Sequence, residues 1–156
     1  MLSYNEIIDK FREFADNHYN LKGSFGTGEA WQIVEHNKLK NRRYPMMWVE
    51  DQPFPFSQSE VGYSFRVYFL AQVATLKNQT ADTLEQTNVV EVKSNMMQIA
   101  QDLMSFWVQD HNYDELDVDK NTSAVSFNED FNDNLTGWYI DINLSQAFKY
   151  NSCFRS

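Results

Sequence analysis

Four groups of residues have types and spacings that chemistry could use. The first is the glycine run KGSFGTGEA, residues 22–30. A phosphate-binding loop needs Lys and then Ser or Thr after its last glycine, so that an ammonium and backbone amides meet the anion. Here Glu29 and Ala30 follow Gly28, and a carboxylate there repels phosphate. A dinucleotide fingerprint needs a strand before the glycines, and the residues ahead of this run have helical spacing. The run reads as a flexible loop. The second group is Asp117, Asp119 and Asn121, which have the 1-3-5 spacing of a calcium loop. Position 6 is then Thr122, where the sharp turn requires glycine, and position 12 is Asn128, where a bidentate glutamate is required. The match fails at both, and the segment reads as an acidic loop.

The third group is His18, His36, His111 and Cys153. No pair has metal-ligand spacing, and a lone cysteine closes no intrachain disulfide. Cys153 reads as a small hydrophobe, and a nucleophile–base pair would need folding to bring one of the histidines to it. The fourth group is not catalytic. Lys38, Lys40, Arg42 and Arg43 fall within six positions, and Phe54 and Phe56 sit in the proline-bracketed stretch DQPFPFSQSE, residues 51–60. Two large aromatics on such a loop are either tucked beneath it or offered to a partner. No cofactor, metal or small-molecule substrate is expected.

The charge of the chain is unevenly spread. Its 156 residues carry a net charge of −9, yet residues 110–141 hold nine acids and one base, Lys120, so the remainder is nearly neutral. Basic and acidic segments are therefore separate in sequence. They read as two solvated loops or as complementary surfaces. Phosphate contacts dominate affinity for nucleic acid, and four clustered cations on an acidic chain are too few for a nucleic-acid binder. No stretch approaches the ~20 apolar residues of a membrane span. MLSYNEIIDKFREF lacks the apolar segment of a signal peptide. The four N-x-S/T sequons, at Asn78, Asn121, Asn134 and Asn143, read as chance in an Asn-rich chain. A soluble protein made inside the cell is expected.

The elements that must position these groups follow from periodicity. Ser3 and Glu6 form a capping box, and Ile7, Ile8, Phe11, Phe14 and Ala15 recur at helical spacing, predicting a helix over 4–17. Residues 31–35 suit a short strand, and 44–50, YPMMWVE, a buried one with Pro45 at its start. Residues 61–74 are apolar at every odd position, with Tyr68 and Leu70 as apolar exceptions among the even ones, which predicts a long strand with one face on a core. Residues 76–86 read as a polar linker. Asn88 and Glu91 suggest a second cap, and Val89, Val92, Met96, Ile99, Leu103 and Phe106 form the stripe of a helix of about 20 residues. A strand from Ala124 to Phe127, a polar turn over 129–134 and a last strand over 136–148 complete the chain. The predicted fold is a single α+β domain over 1–156, with a mostly antiparallel sheet and two amphipathic helices packed on one face.

This layout resembles that of small neck and tail-completion (tail-terminator-like) proteins of tailed bacteriophages. The resemblance rests on the early amphipathic helix, YPMMWVE (44–50), FRVYF (65–69), EVKSNM (91–96) with Asp102 and Leu103, DNLTGW (133–138) leading into YIDI (139–142), and Cys153. It implies a non-enzymatic structural virion protein, made in the host bacterial cytoplasm. Such a protein forms a ring at the neck or tail end, as tail terminator or head–tail connector, in contact with its own copies and with neighbouring virion proteins. DNA passes through the ring without specific binding. A ring uses a heterologous interface. Lys38, Lys40, Arg42 and Arg43 are then expected to face Asp114, Asp117 and Asp119 of an adjacent subunit or of another virion protein, and part of the acidic surface to line the channel. The alternative is a monomeric binding module that contacts one partner through Phe54 and Phe56. A small enzyme would require a polar pocket near Cys153 with His18, His36 or His111 in reach.

Overall fold

Helix α1, Tyr4–Asn17, begins where Ser3 and Glu6 satisfy each other's backbone amides, so the predicted capping box and helix span are both present. The structure, a computed structural model, describes residues 3–29, 45–54, 60–72, 84–109, 116–119, 121–129 and 135–147. The expected strand over 31–35, the basic run Lys38, Lys40, Arg42 and Arg43, and Phe56, Asp114, His36, His111 and Cys153 lie outside the described residues. After α1 come β1 (Phe25–Thr27), β2 (Met46–Gln52), β3 (Glu60–Gln72), α2 (Leu84–Gln109), β4 (Leu116–Val118), β5 (Val125–Glu129) and β6 (Leu135–Ala147).

The strands form one sheet in the order β1-β2-β3-β6-β4, with β5 also on β6. The β2–β3, β3–β6, β4–β6 and β5–β6 pairs are antiparallel and β1–β2 is parallel. The fold is thus α+β with a mostly antiparallel sheet, as the order of periodic segments implied. All 13 residues of β3 pair with β6. Ile7, Phe11, Phe14 and Ala15 of α1 and Met96, Ile99, Ala100, Leu103 and Trp107 of α2 share one core with Met47, Val49, Phe65, Val67, Phe69, Ile140, Ile142 and Leu144. Both helices therefore cover the same face of the sheet.

Four expectations change. Residues 25–27, read as loop, are a strand. Its place is fixed by partners some 20 residues away, as Met47 N–H donates to Ser24 O and Gly28 N–H to Val49 O. Gly26 permits the neighbouring Trp48 ring to lie across it, because a Cβ there would sit 2.5 Å from two ring carbons. Helix α2 starts at Leu84, which puts Asn88 inside the helix instead of at its cap. Leu, Glu and Gln at 84–86 are good helix formers, and one interior Asn costs only a few tenths of a kcal/mol. Within the stretch read as an acidic loop, Leu116–Val118 forms a strand, because Leu116 and Val118 pack against the helix-side core while Asp117 turns outward. Finally, Tyr68 and Leu70 are not exceptions on a wet face. With Met46 and Trp48 they form a second buried cluster on the face away from the helices, with Phe127 and Tyr139 packed against it.

That far face changes character along the strands. Trp48, Tyr68 and Tyr139 stand in one cross-strand row. Glu50, Arg66 and Asp141 form the next, and Gln52, Ser64 and Asn143 the one after. Gly62, Ser145 and Asp117 form the last. The face runs from aromatic through charged to small and polar.

Candidate functional site

The small-residue end of the far face opens into a recess of about 580 Å3, lined by Gly62, Tyr63, Ser64, Asp117, Val118, Asp119, Asn121, Asn143, Leu144 and Ser145. Its floor is low because Gly62, Ser64 and Ser145 carry almost no side chain. Its rim comes from an interruption at the sheet edge. Strands β4 and β5 lie end to end along β6, yet the chain between Val118 and Val125 is two residues longer than the stretch of β6 it faces. Extra residues of this kind bend an edge strand and re-aim its side chains. The excess is tied down by Asp119 N–H donating to Asn143 O at 3.0 Å and Thr122 Oγ1 donating to Asp141 O at 2.7 Å.

Asp117 and Asp119 are both exposed at this rim. Asp119 Oδ1 accepts from the Asn121 amide at 2.9 Å, and Ser64 Oγ donates to Asn143 Oδ1 at 2.6 Å. No described cation pairs with Asp117 or Asp119. The structure thus gathers the whole 1-3-5 set at one recess. Among the described residues, no three of His, Cys, Asp and Glu are placed to hold a metal ion.

Phe54 lies at the same end of the sheet. It is 42% exposed, with its ring centroid 5.2 Å from that of Tyr63. It is therefore half tucked and half offered. Tyr63 also approaches Tyr4, centroid to centroid 6.3 Å, and Tyr4 Oη donates to both carboxylate oxygens of Asp51 at 2.8 Å. Desolvation and the adjacent Asp51 push the Tyr4 phenol up to about 12. Of the sequence-derived candidates, the structure brings Phe54, Asp117 and Asp119 to one end of the sheet. Tyr63, Tyr4 and the small residues of the floor were not singled out by the sequence, and the two tyrosines carry no signal beyond their apolar spacing.

The charged row beyond the recess is internally satisfied. Arg66 Nε donates to Asp141 Oδ1 at 2.9 Å, and the guanidinium lies 4.5 Å from the Tyr139 ring centroid. These contacts raise the Arg66 pKa, the Asp141 hydrogen bond most of all. Tyr68 Oη donates to Glu50 Oε1 at 3.3 Å, and burial followed by the Glu50 charge raises its pKa to about 12.

His18 is the one histidine described, and both its ring nitrogens are engaged. The Asn20 amide donates to Nδ1 at 3.1 Å, which assigns the proton to Nε2, and Nε2 donates to Asp102 Oδ2 at 2.8 Å. Gln98 holds the other oxygen of Asp102 at 3.1 Å. The ring is 8% exposed and stacks on Tyr19 at 4.8 Å. His18 ties the end of α1 to α2, which leaves it no free nitrogen to act as a base. In comparisons with known proteins, the chain matches no family model and no curated sequence.

Proposed function

We propose that this chain is a non-enzymatic structural protein of a tailed phage particle. It forms a ring at the neck or tail end, through which DNA passes without specific binding. The observation that supports this reading most is the end of the far face. There the edge strand β4 presents Asp117 and Asp119, with no described cation beside them, on a sheet whose centre is a fully paired β3–β6 platform. The sequence concentrates its complementary charges elsewhere, at Lys38, Lys40, Arg42 and Arg43. Unlike patches on one subunit suit a head-to-tail contact, which closes into a ring when its rotation permits. The particle's other structural proteins are the further partners, and the assembled virion is its location. No described helix is long and apolar enough to cross a membrane.

The test is the native mass of the purified protein over a concentration series, with and without magnesium, together with negative-stain images. A closed ring is the expected result, and its symmetry would narrow its position on the particle. A second reading, a monomeric module that grips one partner through its aromatic loop, is favoured by the half-exposed Phe54. A chain that stays monomeric throughout and loses a partner on Phe54→Ala would replace the ring with that module.

A further inference from the structure

The turn between α1 and β1 is closed on the imidazole of His18. His18 caps the C-terminus of α1, its own N–H donating to Phe14 O at 2.9 Å. From there the chain doubles back. The Asn20 amide donates to His18 Nδ1 at 3.1 Å, the Lys22 amide to His18 O at 2.9 Å and the Gly23 amide to Ala15 O at 2.8 Å. Two features show that this turn is held in place by its partners. Lys22 sits at φ +50°, in the left-handed region that a residue with a side chain enters at a cost. Leu21 beside it is pressed into the core.

A backbone amide can only donate, so Nδ1 must present it a lone pair. The closed turn therefore requires a neutral ring, with Nε2–H donating to Asp102 Oδ2 at 2.8 Å. An imidazolium carries a proton on each nitrogen. Its Nδ1–H would point at the Asn20 N–H, so the ring takes its second proton only when the Asn20 amide has left. Among the described residues, α2 presents Asp102 to the ring, with Gln98 on the carboxylate's other oxygen. The turn presents Tyr19, stacked at 4.8 Å, and α1 presents the apolar Phe14 at 5.2 Å. Nε2–H can serve Asp102 in either protonation state. The proton at Nδ1 therefore acts on the turn and spares the tie between the helices.

We propose that His18 is an acid-sensitive latch, in which proton uptake at Nδ1 opens the 18–23 turn while Nε2 keeps α1 on α2. The turn runs directly into β1, the three-residue strand at one end of the sheet order, and Ser24 O accepts from the Met47 N–H of β2. Opening the turn loosens this outer strand and leaves the core beneath the helices in place. The latch is independent of the ring reading. One proton binds the open turn and not the closed one, so the closed-to-open ratio falls by up to about tenfold per pH unit below about 6.5, where a free histidine titrates.

Nuclear magnetic resonance on the 15N-labelled full chain tests it. At about pH 7.5 the His18 nitrogens should report the Nε2–H tautomer. From there to about pH 4.5, hydrogen-exchange protection of the Asn20 and Lys22 amides, corrected for intrinsic exchange, should fall by up to about tenfold per pH unit below about 6.5. The Val67 amide in the middle of β3 should not follow. His18→Asn keeps an acceptor for the Asn20 amide and has no titrating nitrogen, so its turn should stay closed over the whole range. An Nδ1–H tautomer at neutral pH, or level protection of Asn20 and Lys22 in the wild type, overturns the proposal. So does an equal loss in His18→Asn, or a loss at Val67 in step with the turn, which is acid unfolding of the whole domain. The tautomer and the wild-type profile are read in the unaltered chain and decide the matter even where the variant does not fold.

Discussion

Replacing Gly137 by alanine should be among the most damaging single-methyl additions in this chain. Gly137 pairs with Leu70, two pairs in from one end of the β3–β6 ladder. A Cβ built on it lies 1.8 Å from the Phe69 carbonyl oxygen, 2.9 Å from the Phe69 carbonyl carbon and 3.2 Å from Leu70 Cα. All three are backbone atoms of a strand buried on both sides, so no side chain can swing away. Restoring a normal contact of roughly 3.4 Å needs a separation of about 1.5 Å, which takes neighbouring N···O distances well past hydrogen-bonding range. Losing about two ladder bonds at ~1 kcal/mol each, with overpacking of ~1–3 kcal/mol, gives a cost of about 3–5 kcal/mol. That is a large part of a typical domain stability of ~5–15 kcal/mol. At ~2–4 °C per kcal/mol for a chain of this size, the melting temperature should fall by about 6 °C or more. Urea and thermal unfolding followed by tryptophan fluorescence measure it. Gly26→Ala is the internal comparison. There the obstruction is the Trp48 ring at 2.5 Å, a side chain that can shift at the expense of its 3.0 Å bond to Gly28 O, for about 1–2 kcal/mol. A Gly137→Ala protein within ~0.5 kcal/mol of the parent, or one more stable than Gly26→Ala, would refute the reasoning.

Three further outcomes follow from the same geometry. Trp107 is 4% exposed and its Nε1–H has no hydrogen-bond partner among the described residues, so Trp107→Phe removes an orphaned donor and should change stability by less than ~1.5 kcal/mol, whereas Trp107→Ala should cost ~3–5 kcal/mol in the same urea titrations. His18→Ala strands Asp102 and the Asn20 amide and should cost ~2–3 kcal/mol, with His18→Asn recovering part of it; equal losses for the two would count against the α1–α2 tie. Tyr4 and Tyr68 have phenols raised from 10 to about 12, so the folded state holds their protons more tightly than the unfolded chain does. Their contribution is intact below pH 10 and is lost as pH climbs from 10 towards 12. Absorbance at phenolate wavelengths should show the Tyr4 and Tyr68 phenols ionising near pH 12, and Tyr4→Phe with Tyr68→Phe should flatten the stability loss in that window.

The sequence disclosed what is periodic. Odd positions of β3 and even positions of β6 alternate cleanly enough to give both strands, and Ser3 with Glu6 gave the start of α1. It disclosed less where both faces are buried. Met46–Val49 reads as an unbroken apolar run because Met47 and Val49 serve one core and Met46 and Trp48 the other, so the run betrays a strand but not its two-sided role. Phe25–Thr27 and Leu116–Val118 are three residues each, shorter than any repeat, and exist only because distant strands offer them partners. Trp107 was missed although it lies four residues beyond Leu103 on the same stripe, where the apolar pair Phe106–Trp107 obscured which one points inward. At the candidate site, the spacing of Asp117, Asp119 and Asn121 was legible. The recess beneath them was not, since Gly62, Ser64 and Ser145 come together only through the cross-strand register.

The β3–β6 ladder also sets the order in which the chain can become a protein. Its two strands lie side by side, but α2, β4 and β5 fall between them in sequence. Closing so long an intervening segment spends chain entropy before any ladder bond forms, and folds dominated by such distant pairings form in milliseconds to seconds rather than microseconds. Until Leu135–Ala147 is available, β3 lacks the partner along its second edge, and Phe65, Val67 and Phe69 lack the Ile140 and Ile142 that complete their core. A nascent or truncated chain ending before Leu135 therefore shows a long, apolar, unpaired strand edge, the form most prone to pair with another molecule. The arrival of β6 ends that exposure.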